Sequence, residues 1–231
     1  MSTDEKKVRR PGADAASRAT SDAAASTDEK RPRRPRGRPR AYDQGTALDA
    51  ALRMFWTKGY SATSLDDLTD AMQMSRPSVY AGFGNKKAVY EAAVGHYVAT
   101  IGSRYMKPLA EEPTLRAGLL GFYAAVIDVV TGKHGPLGCI VACTMPAEAG
   151  DSPQARQHLA QVLAGLDAAM LARMRAAQAA GEVTNKADPA TLAQMATSFM
   201  LALSIRARAG TSRRSLTKLA RDFVDLLAPA K

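Results

Sequence analysis

Residues with which most enzymes and secreted scaffolds are built are scarce in this chain. Among 231 residues there are two cysteines, three histidines and one tryptophan. Cys139 and Cys143 make no disulfide framework and fit a reducing compartment. His96, His134 and His158 are dispersed, and no glycine-rich phosphate loop follows a strand-like run. No catalytic set can therefore be assembled, and neither an enzyme nor a resident metal or cofactor is expected. No apolar run approaches the length that spans a bilayer, and the polar N-terminus lacks the apolar stretch of a secretory signal. The expectation is a soluble, cytoplasmic protein with no membrane partner.

The first 40 residues contain no leucine, isoleucine or aromatic residue, so they cannot bury enough apolar surface to offset ordering entropy. Residues 1–40 read as a disordered basic tail. They hold 12 Lys/Arg and 6 Asp/Glu, against a net charge of +10 for the whole chain. Residues 41–97 hold 5 basic and 6 acidic side chains, a net charge of −1. If that segment meets nucleic acid, most of the long-range attraction to phosphate comes from the tail.

Past the tail, alanine, leucine and methionine recur at helical spacing and β-branched runs are few, which predicts an all-α fold of about nine helices. Ala47, Leu48, Ala51, Leu52 and Phe55 line one face of a first helix ended by Gly59. Thr63 or Ser64 opens a short second helix, with Asp67 placed for a capping box. Ser75 caps a third that has Pro77 in its first turn, and Asn85 caps a fourth running through Val89, Ala93 and Tyr97 towards Ile101. Five more helices follow. One runs from Thr114 to about Val130, and another covers Cys139 to about Ala149, bent or ended by Pro146. The Ser152-Pro153 and Asp188-Pro189 pairs open two that end near Gly181 and Gly210, and Ser212 opens the last.

Two short helices joined by a tight turn and bracketed by longer ones form the unit that lays its second helix in the DNA major groove. Its residues are specific. Lys58-Gly59-Tyr60, Thr63-Ser64-Leu65-Asp66-Asp67-Leu68, Ser75-Arg76-Pro77-Ser78-Val79-Tyr80 and Phe83-Gly84-Asn85-Lys86 resemble, in type and spacing, the DNA-binding domain of the TetR family of bacterial repressors. The resemblance implies a helix-turn-helix domain over 41–97 and a helical effector-binding and dimerisation domain over 98–231. It implies that Thr63, Ser64, Tyr80 and Lys86 hold phosphate of double-stranded DNA, while Arg76, Pro77 and Ser78 approach bases. Physical reasons stand beside these roles. A helix N-terminus favours anions, and arginine can pair bidentately with guanine. Arg76 reads equally as a solvated or phosphate-bound side chain, and core packing is the lesser alternative for Tyr80. Gln73 stands where glycine is common in the turn. Ala81 and Gly82 leave the recognition helix short of large side chains.

Immediately before the first helix lies Arg31-Pro32-Arg33-Arg34-Pro35-Arg36-Gly37-Arg38-Pro39-Arg40. Arginines spaced by glycine and proline suit a narrow minor groove, and residues 31–40, with Arg36, Arg38 and Arg40 foremost, resemble an AT-hook. The alternative is a solvated charge run.

For the C-terminal region the resemblance implies a homodimer and an unknown small-molecule effector. Leu192, Met195, Phe199, Leu203, Leu216, Leu219 and Phe223 form apolar faces suited to a four-helix bundle across a two-fold axis, though a single-subunit core would use the same faces. Effector candidates are Cys139 and Cys143, four apart on one helical face with His134 upstream, and Met145, Met170 and Met174. Each reads more readily as plain core. The leading expectation is a ligand-responsive repressor of a palindromic operator. An architectural protein coating A·T-rich DNA through its arm is the alternative.

Overall fold

The computed structural model describes residues 43–133, 135–183 and 187–229. Arg36, Arg38, Arg40 and His134 lie outside the described residues. No strand occurs among those described, which form eleven α-helical segments and two π-turns. The N-terminal four are α1 (Gln44–Lys58), α2 (Leu65–Met72), α3 (Arg76–Gly82) and α4 (Lys86–Tyr97), here called the headpiece. Each starts at a side-chain cap that satisfies an otherwise unpaired N–H: Asp43, Ser64, Ser75 and Asn85. At α2 the capping box is complete, Ser64 and Asp67 each accepting from the other's backbone.

The expected turn residue is under strain. Gln73 closes α2 at φ 52° and ψ 42°, a left-handed conformation that a side chain disfavours. Gln73→Gly removes the Cβ clash at the cost of extra unfolded-chain entropy, so a net stabilisation of about 0.5–1 kcal/mol is expected. A higher urea midpoint checks it. A lower one would show that the glutamine side chain contributes more than its strain costs.

Beyond the headpiece the body comprises α5 (Ser103–Glu111), α6 (Leu115–Asp128), α7 (Ile140–Cys143), α8 (Met145–Asp151), α9 (Pro153–Ala179), α10 (Pro189–Arg208) and α11 (Arg213–Leu227). Three sequence expectations need correction. The fourth helix does not stop near Ile101, because Gly102 keeps a helical φ of −57° and the rod continues through a π-turn at Val98–Gly102 into α5. The segment from Cys139 to Ala149 is two helices broken at Thr144, and Pro146 sits in the first turn of α8, where it starts a helix and ends none. Together these raise the count from about nine.

The third correction concerns apolar length. Leu115–Gly132 is 18 residues with mean hydropathy 1.4, long and apolar enough to cross a membrane by that measure alone. Its apolarity has an internal use. Leu115, Leu119, Phe122, Tyr123, Val126 and Ile127 are buried as the central helix, against which α5, α10 and α11 pack. Close approach of α5 requires Gly121, since a Cβ there would lie 2.7 Å from Cβ of Pro108.

One hydrophobic core runs without interruption from Ala47 to Ala228. Trp56 of α1 is 1% exposed at the junction of headpiece and body. Its ring meets the edge of Tyr97 at 5.2 Å, and a Cβ at Gly135 would lie 2.9 Å from it. Arg208, at the end of α10, donates to the carbonyl oxygens of Trp56 (3.1 Å) and Leu137 (3.3 Å). The loop after α6 and the end of α10 are thereby fastened to the headpiece.

Candidate nucleic-acid interface

α3 is held by one buried side chain, Val79, while Arg76, Pro77, Ser78, Tyr80 and Ala81 face solvent. Such a short helix is not stable alone, so capping by Ser75 and anchoring by Val79 set its pose. Tyr80 is 55% exposed, which removes it from the core and leaves its phenol on the surface. Ser78 lies on the same helix, its hydroxyl 2.8 Å from that of Ser75.

Arg76 is not free. Its Nε and Nη2 donate to the carboxylate of Asp66 at 2.6–2.9 Å, across ten residues of sequence. Asp67, beside Asp66 in the first turn of α2, pairs with Lys58 at 2.7 Å. Hydrogen bonds from Lys58 and from the Ser64 backbone and hydroxyl hold the Asp67 carboxyl well below the usual carboxylate range. The α2 N-terminus is therefore a cluster of two carboxylates and two cations. A phosphate approaching Ser64 meets no net positive charge there beyond the helix dipole, and the Ser64 hydroxyl already bonds Asp67 at 2.8 Å.

Thr63 departs further from expectation. It is 1% exposed, its hydroxyl donates to Gly59 O at 2.6 Å, and its N–H donates to Tyr60 O at 3.2 Å. Both donors are used inside the turn after α1, so Thr63 positions the loop and offers nothing to a phosphate in this conformation. At the start of α4, Lys86 holds its Nζ 4.4 Å above the Tyr60 ring. Tyr60 in turn packs on Phe55 and Tyr90, with centroids 6.1 and 5.0 Å away. Asp66 and Tyr60 are partners that sequence reading missed, because neither spacing lies on one helix face.

In the body, Leu192, Leu203 and Leu216 are 0–1% exposed, packed inside the subunit and unavailable to a partner. Phe199 and Phe223 are half-buried and stack on each other at 4.0 Å between α10 and α11. Of the proposed dimer residues, Met195 (50%) and Leu219 (36%) are exposed, and Ile205 (56%) and Leu226 (80%) join them on the outer faces. Both α10 and α11 thus carry apolar residues on two sides, which is why periodicity alone named Leu192, Leu203 and Leu216 alongside the exposed Leu219.

The effector candidates go the same way. Met145, Met170 and Met174 are 0–2% exposed core residues. Cys139 is extended at the N-cap of α7 and does not share a helical face with Cys143. Burial pushes the Cys139 thiol up, against the opposing effect of the Tyr97 hydroxyl, which donates a hydrogen bond to the sulfur at 3.2 Å. Among the described residues no group of three or more His, Cys, Asp or Glu side chains is arranged for a metal. Several recesses open on the surface among the described residues, and two of them bear on a small-molecule site. A shallow apolar groove of about 630 Å³ runs between α4–α5 and α9, lined by Met106, Val162 and Leu166 with His158 at its rim. A smaller one of about 220 Å³ lies under the headpiece, between Tyr60, Tyr90 and the start of α9.

Comparison with known proteins matches this architecture. Residues 47–93 match the family described as bacterial regulatory proteins, tetR family, and residues 116–223 a tetracyclin repressor-like C-terminal domain. The HTH-type transcriptional repressor ComR of Escherichia coli is 31% identical over 186 residues, spanning 80% of this chain and 89% of that protein. BdcR, another such repressor of E. coli, is 28% identical over 125 residues, 54% of this chain and 62% of its own. Among solved structures, a cysteine mutant of the regulator CifR complexed with 26-base-pair operator DNA superposes with a TM-score of 0.76 at 29% identity, over 83% of this chain and 100% of that one. Reduced E. coli NemR shares the fold, with a TM-score of 0.70 at 19% identity over 79% of this chain and 95% of that one.

Proposed function

Because this chain belongs to the TetR family of DNA-binding transcriptional regulators, we propose that it acts as a homodimeric repressor of a palindromic operator, released by a small-molecule effector. The observation that carries the reading is α3, a capped helix with one buried residue and its remaining face, including Tyr80, presented to solvent. In a two-fold dimer each α3 enters one half-site, and the apolar residues Met195, Ile205, Leu219 and Leu226 are the surface that would be covered by the second copy. We take 41–97 as the DNA-reading part and 98–231 as the part that dimerises and responds. Tyr80 and Lys86 hold phosphate. Arg76, Pro77 and Ser78 face base edges. Ser64 contributes at the α2 N-terminus.

Electrostatics gives the arm a defined share. In the headpiece Lys58 and Arg76 are each paired with an aspartate, and Lys87 lies 3.9 Å from Glu91. The headpiece therefore supplies little unpaired positive charge, and the ten residues ending in Arg36, Arg38 and Arg40 supply the bulk of it. Footprinting at physiological salt tests the whole reading. Protection of a defined inverted repeat is expected from the full chain, and removal of residues 1–40 is expected to weaken binding and flatten its salt dependence. Diffuse coverage of A·T-rich DNA would favour the architectural alternative, and an unaltered salt slope would make the arm a bystander.

Asp66 sets a threshold on base contact, because Arg76 must leave its carboxylate to reach guanine. Both side chains are more than half exposed, so the pair adds little to stability. Asp66→Ala is expected to change the urea midpoint hardly at all, to strengthen operator binding several-fold, and to raise binding to unrelated DNA at the same time. Gel-shift titrations on both duplexes measure this. An affinity unchanged on either would show that Arg76 takes no part in docking.

A further inference from the structure

The recess beneath the headpiece has a chemistry that the DNA-reading role does not use. Its volume is about 220 Å³, and its walls come from three places: Tyr60 and Ser61 after α1, Lys87, Tyr90 and Glu91 on α4, and Glu148 and Ser152 at the α8–α9 corner. Two aromatic rings 5.0 Å apart, tilted at 59°, form one side. Glu148 is half-buried, and its one described hydrogen bond is a 3.2 Å contact from the exposed Ser61 hydroxyl. No cation within salt-bridge distance neutralises it among the described residues. Glu91 has a cationic partner only at 3.9 Å, in Lys87. The walls thus carry two carboxylates against one ammonium.

Two further observations point the same way. The negative fields of Glu148 and Glu91 reach Tyr60, and that of Glu148 reaches Tyr90; burial and these charges push the Tyr90 phenol up to about 12. The Tyr60 ring already carries an ammonium, that of Lys86, at 4.4 Å, a cation just outside the recess lining that shows this ring attracts positive charge. At the α8–α9 corner the Ser152 hydroxyl accepts the Ala155 N–H, so one of the first N–H groups of α9 is already satisfied within the helix.

From this geometry we infer that the recess between Tyr60, Tyr90, Glu91 and Glu148 binds a small organic cation, a quaternary or protonated amine whose apolar groups lie on the tyrosines and whose charge is met by Glu148. Aromatic faces closed by a carboxylate are suited to weakly hydrated cations, which lose little on leaving water and gain the ring quadrupole. Anions are disfavoured by the same two carboxylates, and a neutral apolar molecule would leave Glu148 half-buried without a counter-charge. The inference names a site and a ligand class for the effector response proposed above, and rests on that reading for its regulatory consequence. The recess touches α4, the loop after α1 and the α8–α9 corner together, so an occupant bears on how the headpiece sits against the body. Binding there and operator binding would be linked, by the same factor in both directions.

Calorimetry on the full chain without DNA tests the site, using choline and tetramethylammonium with 3,3-dimethylbutan-1-ol as the uncharged isostere of choline. At least one cation is expected to bind at least tenfold more tightly than the alcohol. Glu148→Gln should abolish that preference, while Ser61→Ala, which keeps the charge, should retain it. Equal affinity for cation and alcohol, no binding by either cation, or a preference indifferent to Glu148→Gln overturns the proposal. Thermal unfolding of Glu148→Gln separates loss of the site from loss of the fold, and a folded variant that keeps the cation preference counts against it. Because DNA is absent, failure here leaves operator recognition by α3 standing, and failure of the footprint leaves the cation site standing. A final titration with the selected operator reads the linkage: a saturating cation should shift operator affinity at least threefold, and no shift would confine the site to binding without regulation, overturning its assignment to the effector response.

Discussion

A chain carrying both Tyr80→Phe and Lys86→Ala is expected to bind its operator roughly 30- to 1,000-fold more weakly while unfolding at nearly the same denaturant concentration. The magnitude follows from two surface contacts to charged oxygens, each worth about 1–2 kcal/mol net of exchange with water, or about 2–4 kcal/mol together. Tyr80 is more than half exposed on a helix whose buried anchor is Val79, so losing its hydroxyl removes no core contact. Lys86 stands at the first position of α4, where Asn85 caps the helix independently. Its loss forfeits the ammonium over Tyr60, a surface cation–π contact worth about 0.5–1 kcal/mol. Affinity should fall on every sequence alike, because phosphate contacts carry no base information, and the slope of log K against log salt should shrink by about one for the lost lysine. Gel-shift titration over a range of salt concentrations measures both. An affinity within twofold of the parent chain would mean that α3 and α4 do not present these two side chains to phosphate.

Trp56→Ala should be the most damaging single change to stability, at about 3–5 kcal/mol. The indole is 1% exposed and packs on the Tyr97 edge, with the glycine backbone of the loop after α6 against its far side. The loop residue that lies against the ring is Gly135, which has no side chain to fill the space. Trp56→Phe should cost much less. The indole Nε1 is buried without a hydrogen-bond partner among the described residues, so replacing it by phenyl removes no bond to them. Urea denaturation followed by far-ultraviolet circular dichroism ranks the two. Should Trp56→Ala cost less than about 1 kcal/mol, the junction between headpiece and body would have to be far looser than its packing implies. Trp56 also lends its carbonyl to Arg208, so this position ties the end of α10 to the helix that supports α3.

Much of the headpiece was legible before any coordinates. Helix starts are local events, since the donors to be satisfied lie within three residues of the cap; Ser64, Ser75, Asn85, Thr114, Ser152, Asp188 and Ser212 all cap where their patterns placed them. The strained turn at Gln73 was legible for the same reason. Less visible were contacts between elements. The Asp66–Arg76 pair depends on the angle of the helix-turn-helix, and the Glu148–Ser61 contact joins residues 87 apart. No periodicity encodes such distances. Thr63 misled because a hydroxyl beside a helix start reads as a phosphate ligand, whereas the turn folds it inward onto Gly59.

By itself, then, the sequence determined the helical class, the helix starts, the helix-turn-helix and the crowding of positive charge before it, because each depends on composition or on neighbours a few positions apart. Tertiary structure decided which apolar face is core and which is surface. On α10 and α11 the helical repeat marks Leu192, Met195, Leu216 and Leu219 alike, yet the packing of α10 chiefly against α9 and of α11 against α6 leaves the first and third of these buried and the other two outside. It also decided that the recess under the headpiece exists, since Tyr60, Tyr90 and Glu148 come from three elements that meet only when the chain has folded. A pattern along one helix reports that helix's own periodicity. Where two helices touch is set by the free energy of burying their shared surface, and that is a property of the whole chain.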